Sequence, residues 1–220
     1  MNISLFDVVG PVMIGPSSSH TAGAAKLARV ASGIAPRGFA ALFIQLAGSF
    51  AKTGKGHGTD KALLAGALGF SESDERIREA YQIADERGIK YAFSDIDLPD
   101  AHENTARLTF KYADKPDFTV EGSSIGGGRI IITEIDGSKT SFNAEAPTIV
   151  IRQLDKPGVV NDVSGILAES GINIAVMRLD RDSRGGMANC VIETDANIDE
   201  NTVSALEHVT NVVSVRAINL

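Results

Sequence analysis

The sequence predicts an α+β protein of two units, and three observations carry that prediction. Aromatic residues make up only 5% of the 220 residues and tryptophan is absent, so Ala, Val, Ile and Leu must build the core. Helical spacing dominates as far as Arg87, and short runs rich in β-branched and aromatic residues take over from Ile89. Beyond Ala146 the signals follow the order βαββαβ.

In the first unit, Ala24, Leu27, Ala28, Ala31 and Ala35 recur at helical spacing. Phe39 to Leu46 is a compact apolar strand whose pattern implies burial on both faces. A second helix carries Leu63, Leu64, Ala67 and Leu68 after Gly58-Thr59-Asp60. A third is expected from Ser73 to Arg87, opened by Asp74 and Glu75, which suit the positive end of a helix, and stopped at Gly88. Four strands follow: Tyr91 to Ile96, Thr105 to Tyr112, Asp117 to Ser124 and Arg129 to Ile135. Asp114-Lys115-Pro116, Gly126-Gly127-Gly128 and Asp136-Gly137 punctuate them, and the last two frame a hairpin. Helices early and an antiparallel sheet late make this unit α+β.

Residues Gly137 to Ala146 are polar and aperiodic, which reads as a linker and divides the chain into 1–145 and 146–220. The second unit is sharper. Thr148 to Leu154 is a strand, Asp155-Lys156-Pro157-Gly158 a turn, and Val159, Val160, Val163, Ile166 and Leu167 mark a helix closed by Gly171. Strands at Ile172 to Leu179 and Met187 to Thr194, a helix at Asp199 to His208 and a strand at Val212 to Ile218 complete a ferredoxin-like βαββαβ unit.

Composition excludes several functions. A net charge of −7 with no basic run argues against nucleic acid, whose phosphates need clustered Lys and Arg. The start MNISLFDVVG lacks the charged and apolar regions of a signal peptide, and the run from Phe39 to Ala47, broken by Gln45, is too short for a bilayer. A lone Cys190 excludes an intrachain disulfide framework and a cysteine-only metal site. A soluble cytoplasmic protein is expected.

Three of the four histidines fall in unusual settings in the first unit. His20 follows Ser17, Ser18 and Ser19 and precedes Thr21 where a helix begins. A helix start offers unpaired N–H groups and partial positive charge, which attract carboxylates and phosphates. One hydroxyl suffices for a cap, so four exceed that need, although a capped, solvated turn is the simpler reading. His57 sits in "KTGKGHGTDKALL", where a glycine loop would let the backbone approach a ligand and present a group that titrates near neutrality. Walker spacing is absent there, and no histidine pair has i, i+4 spacing, so phosphate-loop and metal readings are set aside. His102 lies in "DIDLPDAHENTARLTF".

The run "DKPGVVNDVSGILAESGINIAVMRLDRDSRGGMANCVIETD" resembles an ACT domain, a module that binds amino acids in many metabolic enzymes. That resemblance implies pairing through sheet edges or helices and ligand contacts from Asp155, Gly158, Val159 and Asn161. Alternatively, Pro157-Gly158 simply starts a helix and the module only makes a homodimer.

Taken together, "SLFDVVGPVMIGPSSSHTAGAAKLARVA", "TGKGHGTDKALLAGALGF" and "HENTARLTF" resemble the β subunit of bacterial iron–sulfur L-serine dehydratase. The resemblance implies loss of water from L-serine, with a [4Fe–4S] cluster as Lewis acid, giving pyruvate and ammonia. It makes His20 and His57 proton-transfer candidates. Ser17, Ser18, Ser19 and Thr21 would bind carboxylate or orient His20, with Asn104 and Thr105 as further contacts. "HENT" departs from the family by carrying Glu103 where a proline is expected. Three cysteine thiolates are expected for the cluster and this chain has one, so no metal ligand is assigned here and the cluster falls to a partner α chain. The first unit is also similar to the allosteric substrate-binding domain of some phosphoglycerate dehydrogenases, which leaves a rival reading: a regulatory subunit that binds an amino acid or small anion.

Overall fold

Alanines at helical spacing leave a helix face with almost no side-chain bulk, and helix α1 (Ala24–Ile34) uses that face to approach its neighbours closely. In the computed structural model, which describes residues 12–219, Ala24, Ala25, Leu27, Ala28, Val30 and Ala31 of this helix are buried. Helix α3 (Thr59–Ala67) lies against it. A Cβ on Gly66 would stand 2.1 Å from the carbonyl oxygen of Ala25, so only glycine allows this approach.

The chain divides into two compact units, residues 1–136 and 137–220. In the first, strand β1 (Ala41–Leu46) leads into helix α2 (Gly48–His57), then α3, a 3₁₀ turn (Glu75–Glu79) and α4 (Ala80–Glu86). Strands β2 (Lys90–Asp95), β3 (Thr105–Lys111), β4 (Phe118–Gly126) and β5 (Arg129–Ile135) follow. Their order in the sheet is β2-β1-β3-β4-β5. Strand β1 pairs parallel with β2 and antiparallel with β3. The parallel pair requires a crossover, which α2, α3 and α4 supply. Helix α1 packs on β4 and β5.

Three expectations are corrected in this unit. Strand β1 alternates instead of burying both faces: Leu42, Ile44 and Leu46 are buried while Phe43 and Gln45 are half-exposed. The third helix begins as a 3₁₀ turn because Asp74 accepts from the Arg76 backbone N–H at 3.0 Å, and its α-helical part starts only at Ala80. The glycine-rich stretch before Gly58 is no loop, since α2 runs through it and ends where Gly58 takes φ 69.

The second unit holds β6 (Ser138–Phe142), which corrects the linker reading of 137–146. It continues with β7 (Thr148–Leu154), α5 (Val159–Glu169), β8 (Ile174–Arg181), β9 (Met187–Thr194), α6 (Glu200–Glu207) and β10 (Val212–Ile218). The sheet order β10-β7-β9-β8 with antiparallel neighbours is the expected ferredoxin-like arrangement. Ile149, Ile151, Val163, Leu167, Ile192, Leu206 and Val215 form its core. Asp199 caps α6 by accepting from Thr202 N–H at 2.7 Å, and hydrogen bonding from the Thr202 side chain and then its backbone holds the carboxyl below the usual range.

Candidate functional site

The hydroxyl-rich stretch before α1 folds as a π-helical turn (Ser18–Gly23) that feeds directly into the helix. Ser17 organises it: its Oγ accepts from His20 N–H at 3.1 Å, and its carbonyl accepts from Thr21 N–H at 3.0 Å and Ala22 N–H at 3.3 Å. The last of these is an i to i+5 bond, and such widened turns recur at functional sites. Ser18 and Ser19 lie half-buried in the same turn. Ser17 therefore acts as the cap, and the turn carries His20 toward α2.

Helix α2 presents Ser49, Thr53 and His57 at i, i+4 and i+8, a single face. His20 meets that face. Its Nε2 lies 3.2 Å from Ser49 Oγ and 3.1 Å from Thr53 Oγ1. The His20 and His57 rings stand 4.9 Å apart between centroids, and Phe50 closes the other side of His20 edge-on at 5.3 Å. His57 Nδ1 is 3.1 Å from the Thr53 carbonyl, while Thr21 Oγ1 donates to the His57 carbonyl at 3.2 Å. Two sequence-distant motifs thus come together in space.

The third motif supports the same site from beneath. Ala47 N–H donates to the Thr105 carbonyl at 3.0 Å, and Ser49 N–H and Phe50 N–H both donate to the Glu103 carbonyl. Gly48 takes φ 56, and a Cβ there would stand 2.5 Å from the Glu103 oxygen, so the close contact needs glycine. Asn104 is buried and its Oδ1 has no partner among the described residues. Thr105 Oγ1 donates to the His102 carbonyl at 2.6 Å and lies 2.7 Å from Ser123 Oγ. His102 turns its Nδ1 to the Asn104 backbone N–H at 3.1 Å, which gives it a loop-closing role.

Burial lowers the pKa of His20 below the ordinary 6.5, and the neighbouring charge of His57 lowers it further. Hydrogen bonding at Ser49 and the Glu103 carboxylate oppose that shift without reversing it. His20 is therefore neutral near pH 7 and free to exchange a proton. A cavity of about 270 Å³ opens beside the pair, lined by Gly15, Thr21, His57, Lys61 and Arg78 among others. The cavity lining joins the Thr21 hydroxyl and the His57 imidazole to two cations, Lys61 and Arg78, which suits a small carboxylate.

Ser49 and Thr53 were not singled out by sequence, and Glu103 was noted only as a departure from the family's expected proline. The signal was the i, i+4, i+8 spacing of Ser49, Thr53 and His57, hidden because Gly54 and Gly56 argue against a helix. The beginning of the first motif, through Pro11, lies outside the described residues.

In the second unit the effector candidates are spread over different tasks. Asp155 accepts from Arg181 at 2.8 Å and from Gly185 N–H at 3.1 Å, and Gly185 followed by Arg181 holds its carboxyl low. Gly158 takes φ 96 before α5, and Val159 is buried in the core. The Asn161 amide donates to Asp162 at 3.1 Å. The cluster expected by resemblance does not fit this chain: its one thiol, Cys190, is buried in β9, where burial pushes its pKa up to about 11. Among the described residues no group of three His, Cys, Asp or Glu side chains is placed to hold a metal ion.

Comparison with known proteins agrees with this architecture. Residues 4–135 match the family "Serine dehydratase beta chain", and residues 148–209 match the ACT domain family. The chain belongs to the serine dehydratase beta chain family. It is 42% identical to the probable L-serine dehydratase beta chain of Bacillus subtilis over 98% of this chain and 97% of that protein. It is 40% identical to the L-serine dehydratase beta chain of Peptoniphilus asaccharolyticus over 92% of each. A D-3-phosphoglycerate dehydrogenase of Bacillus subtilis is 31% identical over 80% of this chain and 34% of its own length. No helix among the described residues is long and apolar enough to cross a membrane.

Proposed function

We propose that this chain is the β subunit of an L-serine dehydratase and supplies the proton-transfer side of its active site. The observation that carries the reading is the His20–His57 pair, 4.9 Å between ring centroids and set among the hydroxyls of Ser49 and Thr53. The reaction removes the α-proton and the β-hydroxyl of L-serine as water. The aminoacrylate left behind tautomerises to an imine, which water hydrolyses to pyruvate and ammonia. A neutral imidazole is suited to accept the α-proton, and the second to relay it. Thr21, Lys61 and Arg78 line the neighbouring cavity and would hold the substrate carboxylate.

The [4Fe–4S] cluster of this reading is assigned to a partner α chain, because one buried thiol cannot ligate it. The naming of the relatives as beta chains supports such a partner. The cytoplasm is the compartment this chemistry implies. Mixing the purified chain with its α chain under anaerobic conditions, with iron and sulfide, should yield pyruvate from L-serine, and neither chain alone should do so. Pyruvate formation by the α chain alone at the full rate would refute the role.

A second reading rests on the ACT domain match. In it the chain regulates its partner by binding an amino acid near Asp155 and Gly158, and the ACT domains pair as a homodimer. Titration calorimetry on the isolated chain separates the two, since L-serine binding without the α chain favours the sensor.

A further inference from the structure

The two imidazoles share one residue, Thr53, and its two oxygens treat them differently. The Thr53 hydroxyl has a single proton. It lies 3.0 Å from the Ser49 carbonyl, one turn earlier in α2, and donates there. In that rotamer the hydroxyl proton is engaged at the carbonyl. With its proton spent, Thr53 Oγ1 can only accept from His20 Nε2 at 3.1 Å. His20 therefore carries its proton on Nε2. The Thr53 carbonyl, 3.1 Å from His57 Nδ1, likewise only accepts, so His57 carries its proton on Nδ1.

We propose that Thr53 is a positioning residue that fixes His20 and His57 in opposite tautomers. His20 then has its lone pair on Nδ1, while His57 has its lone pair on Nε2. The pair is thereby asymmetric before any substrate arrives: the ring held by the hydroxyl has its Nε2–H engaged at Thr53 and its lone pair on Nδ1, and the ring held by the carbonyl keeps a basic Nε2. Ser49 completes the arrangement, because its Oγ lies 3.2 Å from His20 Nε2 and 3.3 Å from Thr53 Oγ1.

This inference deepens the catalytic reading and rests on it for its functional meaning, but the test does not use activity. Nitrogen-15 spectra of the ring nitrogens, recorded on the full chain alone with both imidazoles neutral, report the tautomers directly. The expected result is protonated Nδ1 on His57 and protonated Nε2 on His20. Thr53→Val, which keeps the shape and the backbone carbonyl, should broaden or abolish the His20 Nε2 proton resonance and leave His57 in its Nδ1–H form. Thr53→Ser should restore that resonance. A His20 proton on Nδ1 in the parent chain, or an unchanged Nε2 resonance in Thr53→Val, would overturn the proposal. If Thr53→Val does not fold, the parent spectrum and the serine variant decide it. Correct tautomers in a chain whose histidine variants remain fully active would refute the catalytic reading alone.

Discussion

At the scale of the residue, the site depends on a histidine that resists its proton. Burial of His20 and the charge of nearby His57 lower its pKa below 6.5 in the folded chain. The unfolded chain then binds a proton at pH values where the folded chain does not. Stability from this group is present above the unfolded pKa and declines as pH falls from about 6.5 toward the folded value. The denaturant midpoint should therefore drop across that window, and His20→Gln should flatten the drop. Asp74, held down to about 2 by Arg76, belongs to a separate and more acidic window, since its contribution is lost only below the ordinary carboxylate range. A midpoint independent of pH between neutrality and the carboxylate range would contradict the environment assigned to His20.

At the scale of the element, α2 is the decisive piece and the one least legible in the sequence. Local propensity opposes it, because Gly54 and Gly56 each cost about 1 kcal/mol against alanine in a helix. Tertiary contacts override that preference: Phe50 is fully buried beneath the site, and the Glu103 carbonyl receives the first backbone donors of the helix. Glu103, which departs from the expected proline, acts there through its backbone. Gly48→Ala should destabilise the chain by about 1–3 kcal/mol, because it places a side chain at positive φ and against that carbonyl. Chemical denaturation measures it, and an unchanged midpoint would show that α2 does not lean on this loop. By contrast, the βαββαβ unit was readable almost element by element. Its periods of two and 3.6 agree with its packing, as Ile149 and Ile151 in β7 and Val163 and Leu167 in α5 show. The short strand β6 escaped because polar Ser138, Lys139, Thr140 and Ser141 carry no alternating apolar signal.

At the scale of the whole molecule, the chain combines a histidine-bearing α+β unit with an ACT domain and one inert thiol. The residue pair that matters comes from segments 37 positions apart in sequence, so only the fold brings His20 to His57. Sequence pattern identified both histidines, but not Ser49 and Thr53, whose meaning arises from the helix face they share with His57. The most direct test is the turnover of L-serine by the assembled α and β chains carrying His20→Ala or His57→Ala. Loss of a positioned proton-transfer group typically lowers the rate about 10²–10⁴-fold, and each variant should show a fall in kcat of that order with the complex still formed. Full activity in both variants would contradict the account.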